Sequence, residues 1–307
     1  MKKFLLIFVG IILYSSYTLA QGVDQSKQFL NSGIEKFKAG NKMAALQDFN
    51  KSIELNPNDY FAYYNRGNLR NEIGNNEDAI IDYNKTIELK PDFADAYNNR
   101  AITKKKLGDK KGAIADYEKA IQIKPNFVKP YYNLGNIYNE QGNSQKAIKL
   151  YTKAIALKPD YAEAYINRGM VKYAMEKKNE AVQDWNEAIK INPNLALAYN
   201  NRGYARYDLG DKKGSIEDFN KALELSPNDP DTYFNRANAF KDLGDYKKAI
   251  DDFNKTISLN PRDSEAYYNR GLAKLALNDI KGACQDWHKA EELENTEASK
   301  LEKENCK

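Results

Sequence analysis

The residues of this chain best suited to chemistry are a recurrent pair of opposite charges and a row of amides. Arg66, Arg100, Arg168, Arg202, Arg236 and Arg270 recur with Asp82, Asp116, Asp184, Asp218, Asp252 and Asp286, each Asp following its Arg at one fixed spacing. A guanidinium and a carboxylate can meet in a two-point, charge-assisted contact that ties two segments together. The series breaks at both ends at once, where Leu134 and Leu150 occupy the two places. Joint loss favours pairing within a unit, because pairing each Asp with the next Arg would set Asp116 against Leu134 and Leu150 against Arg168. Within-unit pairing leaves Ser32 and Asp48 unmatched. The alternative is a stripe of free Arg that binds anions.

The amides are Asn65, Asn99, Asn133, Asn167, Asn201, Asn235 and Asn269, preceded in the same register by Asn31. A side-chain amide donates and accepts at once, so an even row of Asn can hold the backbone of an extended chain without reading its sequence. The same amides could equally bond their own scaffold. His288 is the single His, expected at the surface, and the sequence offers no Ser, His and Asp constellation, no metal set and no Gly-rich loop after a strand. No catalytic residue, cofactor or metal is therefore expected, and the chain reads as non-enzymatic. Cys284 and Cys306 form either a disulfide, if the compartment is oxidising, or two free thiols.

Elements that could position these residues follow from a period. Pro57, Pro91, Pro125, Pro159, Pro193, Pro227 and Pro261 repeat at the same spacing as the Asn row, without insertion. With Ser26 as position 1, position 4 is aromatic in every unit (Phe29, Tyr63, Tyr97, Tyr131, Tyr165, Tyr199, Tyr233, Tyr267) and so is position 24 (Phe49, Tyr83, Tyr117, Tyr151, Trp185, Phe219, Phe253, Trp287). Both sets are expected in the core, which makes Tyr64 and Tyr268 surplus to it. Position 8 is Gly or Ala and position 20 is Ala or Ser, small enough for two helices to cross closely. Gly40, Gly74, Gly108, Gly142, Gly210 and Gly244 each precede Asn or Asp, the chemistry of a helix stop followed by a cap. Glu176 and Asn278 replace that Gly in two units, and Glu tolerates the left-handed backbone poorly. The recurrent Pro ends the second helix.

This pattern of aromatic, small, small, aromatic and Pro resembles the tetratricopeptide repeat family, most fully at Tyr131, Leu134, Gly135, Tyr138, Ala147, Tyr151, Ala154 and Pro159. The resemblance implies an all-α fold, an α-solenoid in which helix-turn-helix units wind into a right-handed superhelix. It also implies that positions 2, 5, 6, 9 and 12 of each first helix face a ligand. Those positions hold the Asn row together with Tyr64, Asn68, Tyr132, Asn136, Tyr204, Phe234, Asn238 and Tyr268. The carboxylate clamp of heat-shock co-chaperones is missing, since position 6 is never Arg.

The expected organisation is a signal peptide over 1–20, a lead-in over 21–25, eight repeats (26–59, 60–93, 94–127, 128–161, 162–195, 196–229, 230–263 and 264–297) and a capping helix over 298–307. Lys2 and Lys3, the apolar stretch Phe4 to Tyr14, and Thr18-Leu19-Ala20 fit a cleaved leader better than a short membrane anchor. Export to a periplasmic or extracellular space follows as the expectation, with no integral membrane segment after cleavage. The formal charge of +4 falls to +2 without Lys2 and Lys3, which argues against nucleic acid. The expected partner is a protein or extended peptide, with envelope assembly or secretion as the expected setting. Self-association as a structural repeat protein, or service in a polysaccharide-handling or transferase complex, are the other readings.

Overall fold

The computed structural model describes residues 23–306, so the leader expected over 1–20 lies outside the described residues. Among the described residues there are seventeen α-helices and no strand. They fall into two compact units, one ending at Ile137 and one beginning at Tyr138. The first holds α1 (23–38), α2 (Lys42–Leu55), α3 (Tyr60–Glu72), α4 (Asn76–Leu89), α5 (Ala94–Lys106) and α6 (Lys110–Ile123). The division falls in α7 (Val128–Glu140). The second holds α8 (Ser144–Leu157), α9 (Ala162–Ala174), α10 (Lys178–Ile191), α11 (Ala196–Asp208), α12 (Lys212–Leu225), α13 (Pro230–Asp242), α14 (Tyr246–Leu259), α15 (Ser264–Ala276), α16 (Ile280–Glu292) and α17 (Thr296–Asn305).

Local chemistry sets these boundaries. Gly74 at φ 86 and Gly210 at φ 89 stop first helices in a conformation that costs a residue with a Cβ roughly 1 kcal/mol or more. Glu176 at φ 60 and Asn278 at φ 63 make the same turn without glycine. Asp109, Asn143, Asp211 and Asp279 then accept a backbone N–H of the next first turn at 2.8 to 3.2 Å. Asn41 and Asn75 stand at the same place but make no such bond, and Asn75 instead donates to Asp78 at 2.9 Å. Second helices end two residues before the recurrent Pro, at Leu55, Leu89 and Leu225 for example.

Within each unit the helices pair as hairpins, α3 with α4 and α5 with α6 in the first, and α9 with α10 through α15 with α16 in the second. Successive hairpins stack through α4 on α5 and α10 on α11. Fully buried Ala79, Ala113, Ala181 and Ala249 allow the approach, while Phe49, Tyr83, Tyr117, Trp185, Phe219, Phe253 and Trp287 fill the gap between helices. Each such ring contributes about 1.5–3 kcal/mol by burial. A Cβ on Gly169 would lie 2.8 Å from Trp185 Nε1, and one on Gly33 or Gly67 equally close to Phe49 or Tyr83, so the crossing is tight at these glycines whichever ring faces them. The second aromatic series differs from expectation: Tyr63, Tyr165, Tyr199, Tyr233 and Tyr267 are half-buried and lie at the rim of the core. At the C-terminus α17 sets buried Ala298 beside Leu301 and Cys306 against Ala283, Trp287 and Ala290. Cys284 and Cys306 form a disulfide that ties α17 to α16, with their Cα atoms 5.7 Å apart.

Candidate functional site

Each recurrent Arg sits on a first helix with its guanidinium against the Asp of the second helix in the same repeat. Arg100 Nη2 and Nε lie 2.6 and 2.8 Å from the two oxygens of Asp116, and Arg168, Arg202, Arg236 and Arg270 repeat this geometry with Asp184, Asp218, Asp252 and Asp286. Arg66 grips Asp82 in the same way at 2.7 to 3.3 Å. Asp side chains are 1–7% exposed and Arg side chains 14–19%, so an external anion would have to displace a partner already desolvated.

Three further features are not visible in the spacing. Arg70, Lys104, Lys172, Arg206 and Lys274, one turn further along the first helix, bring a second cation to the same carboxylates at 2.8 to 2.9 Å. Each Arg also donates through Nη1 to the preceding repeat, to Asn50, Asn84, Thr152, Asn186, Asn220 or Asn254 at 2.6 to 2.9 Å. Finally each guanidinium lies 5.4 to 5.6 Å from the centre of the Tyr ring one turn before it, a cation–π distance. One signal in the sequence marks the inter-repeat bond: Glu118 replaces the acceptor in the one repeat followed by Leu134. The first repeat is corrected as well. Asp48 is not unmatched, since Ser32 Oγ donates to it at 2.7 Å and Lys36 Nζ at 2.6 Å.

The Asn row is largely committed to the scaffold. Asn65 and Asn269 donate to carbonyls of their own helices, Phe61 and Glu265, while Asn99 donates to the Tyr64 hydroxyl and to Asn68 Oδ1 of the repeat before it. Asn133 meets the Tyr117 hydroxyl, Asn235 donates to Asn200 at 3.3 Å, and Asn167, Tyr132 and Asn136 are engaged too. Asn201 is the exception, with a buried Nδ2 that has no partner among the described residues. Tyr64 and Tyr268 are not surplus to the packing: Tyr64 stands edge-on to Phe93 at 4.9 Å, with burial pushing its hydroxyl pKa up, and Tyr268 packs on the C-terminal cluster. Asn238 is half-buried on α13.

Two cavities contrast in chemistry. In the first unit a cavity of about 480 Å³ lies over Asn68, Asn71, Asn99 and Lys106, whose polar groups satisfy one another: Lys106 Nζ donates to Asn71 Oδ1 at 2.7 Å and Asn71 bonds Thr103. In the second unit a cavity of about 570 Å³ runs across α9, α11, α13 and α15. Tyr204, Phe234, Met170 and Trp185 supply its apolar wall, and Met170 and Tyr204 remain 44% and 42% exposed. Asn200, Asn201 and Asn235 supply amides beside them. All but Trp185 and Asp263 of the residues lining it stand at positions 2, 5, 6, 9 or 12 of a first helix. Of the row, Asn65, Asn133, Asn167 and Asn269 are not among the residues lining either of these two cavities.

His288 is exposed, as expected, but the fold brings it near Glu291 and Glu302, with its Nδ1 3.1 Å from Glu302 Oε1. Ser299 Oγ donates to Glu291 at 2.5 Å, and that bond holds the Glu291 carboxyl below its ordinary value. No helix among the described residues is long and apolar enough to cross a membrane.

Tandem helix hairpins whose first helices carry a shared exposed face define a repeat scaffold. The TPR repeat family model matches residues 67–108, 104–142, 135–176, 171–210 and 203–244, and tetratricopeptide repeat models match 49–81 and 230–263. The chain belongs to the tetratricopeptide repeat family, whose fold is typically a non-catalytic scaffold for protein–protein interaction. Among solved structures it is similar to the MamA protein at 26% identity and TM-score 0.50, over 55% of this chain and 92% of that one. It shares its fold with YrrB, a TPR protein with an unusual peptide-binding site, at 22% identity and TM-score 0.53 over 60% and 95% of the two chains. Pseudomonas aeruginosa pilF is alike at 20% identity and TM-score 0.60 over 66% and 92%. No curated protein matches the chain.

Proposed function

We propose that the chain is an exported, non-enzymatic scaffold that holds an extended polypeptide across the first helices of its repeats. The observation that carries this reading is the cavity of the second unit, where four successive first helices present exposed Met170 and Tyr204 beside three amides. Amphipathic rings and amides together suit a peptide, which offers both side chains and an unpaired backbone. The Arg and Asp pairs belong to the scaffold in this account, and the partner is read by what lies between them. Export is supported by the leader-like residues 1–20 and by the Cys284–Cys306 disulfide, a bond that persists in oxidising compartments. A role in envelope assembly or secretion follows from that location.

Affinity capture from the envelope of the producing cell tests the reading, with the chain run beside a Met170→Ser, Tyr204→Ser variant. Both side chains are exposed, so the variant should melt with the parent. A polypeptide captured by the parent and lost by the variant is the expected result. Retention of every captured partner by the variant would move the interface off this face. Sequencing the N-terminus of the purified protein tests export, with Gln21 as the expected first residue and Met1 as the refuting one.

A further inference from the structure

The cavity of the second unit carries negative charge that its neighbours do not cancel. Asp231 near the start of α13, Asp263 capping α15 and Glu265 in the first turn of α15 line one side of it. None of the three has an ion-pair partner among the described residues, in contrast to Asp82, Asp116, Asp184, Asp218 and Asp286, which each hold two cations. Asp263 accepts the Ala266 N–H at 3.0 Å and Glu265 Oε1 accepts Asn295 Nδ2 at 2.8 Å, and both contacts leave the charge in place. Lys241 feels Glu265 but donates to Asn269 Oδ1 at 2.5 Å, and burial pushes its pKa down. Facing the carboxylates are the rings of Tyr173, Trp185, Tyr204 and Phe234, and among them lies the unpartnered, buried Nδ2 of Asn201.

We propose, resting on the groove-binding reading above, that this cavity takes a Lys or Arg side chain of the bound polypeptide. The carboxylates receive the cation and the rings cover its alkyl stem. A volume of about 570 Å³ is within the range of sites that enclose a small ligand and exceeds what one side chain fills, so neighbouring backbone enters with it. An acidic peptide or a nucleic acid is repelled at the same place. The partner is thereby narrowed from any extended chain to one with a basic residue flanked by apolar ones.

An array of random peptides of about twelve residues, roughly 40 Å when extended, tests this with the full chain as probe. The strongest binders are then made soluble, each with its basic residue kept or replaced by Gln, and titrated against the parent and against an Asp231→Asn, Glu265→Gln variant. Asp263 is left intact because it caps α15. The expected result is enrichment of Lys and Arg among binders, about tenfold or greater weakening on replacement by Gln, the same loss in the variant, and parent affinity that falls with salt. Melting of the variant with the parent shows that a loss belongs to the site. Binders without basic enrichment, or Gln peptides bound as well as their parents, would overturn the inference and leave groove binding standing. Absence of any peptide binding to the parent would sink both.

Discussion

Repeat seven offers the cleanest measure of the charge pair, because Phe240 occupies the place from which other repeats supply a second cation. Among the described residues Asp252, its side chain 7% exposed, is held by Arg236 alone, through Nε at 2.8 Å and Nη2 at 2.7 Å. Arg236→Leu therefore strands a buried carboxylate, a loss of about 3–5 kcal/mol. Arg202→Leu leaves Asp218 with Arg206 at 2.9 Å, and its cost should be about half as large. The double change Arg236→Leu, Asp252→Leu recreates what Leu134 and Leu150 already do in repeat four, and removal of both charges together costs about 1 kcal/mol or less. Urea unfolding is the assay, followed by fluorescence, since Trp287 in the adjoining repeat is one of only two Trp and reports local unfolding. The expected order of loss is Arg236→Leu, then Arg202→Leu, then the double variant. Equal losses for Arg236→Leu and the double variant would refute the pairing energetics, and equal losses for the two single variants would refute the role of the second cation. The same reasoning spoils a double change at Arg168 and Asp184, because Lys172 would be left without its 2.9 Å partner.

Other expectations follow from single features. Glu176→Gly relieves a left-handed residue at φ 60 and should stabilise by about 1 kcal/mol, read as a rise in melting temperature of about 2–4 °C. Cys306→Ser removes a bridge between residues 22 apart and should cost about 3 kcal/mol, seen as faster amide exchange in α17 with the earlier repeats unchanged. Burial would raise the Asp48 carboxyl, but Lys36 and Ser32 outweigh it and hold the pKa below 3.8. Its stabilisation is thus present above pH 3.8 and lost as pH falls through the lower folded value, so Lys36→Met should flatten the acid limb of the unfolding curve.

How much was legible before the fold was known depends on whether a feature repeats. The hairpins, the small residues at the crossing and the Pro stops recur at every unit, and periodicity exposes them. Arg and Asp could be matched because Leu134 and Leu150 change together. The second cation is not legible because Arg70, Lys104, Tyr138 and Phe240 share its place, a mixture with the composition of an ordinary helix surface. Whether an Asn faces a ligand or its own scaffold depends on side-chain rotation, which spacing does not determine; Asn65 and Asn201 occupy one repeat position and differ. Asp231, Asp263 and Glu265 come from two repeats and from both sides of a helix start, so only the folded chain gathers them.

The central claim is that the first-helix face is where a polypeptide binds, and site-specific photocrosslinking tests it most directly. A crosslinking residue is placed in turn at Met170, Tyr204 and Phe234 on α9, α11 and α13, and at exposed Glu217 and Lys247 on α12 and α14. The account predicts adducts to one polypeptide from the first three positions and none from the other two. Adducts from Glu217 and Lys247 with none from the cavity would contradict it.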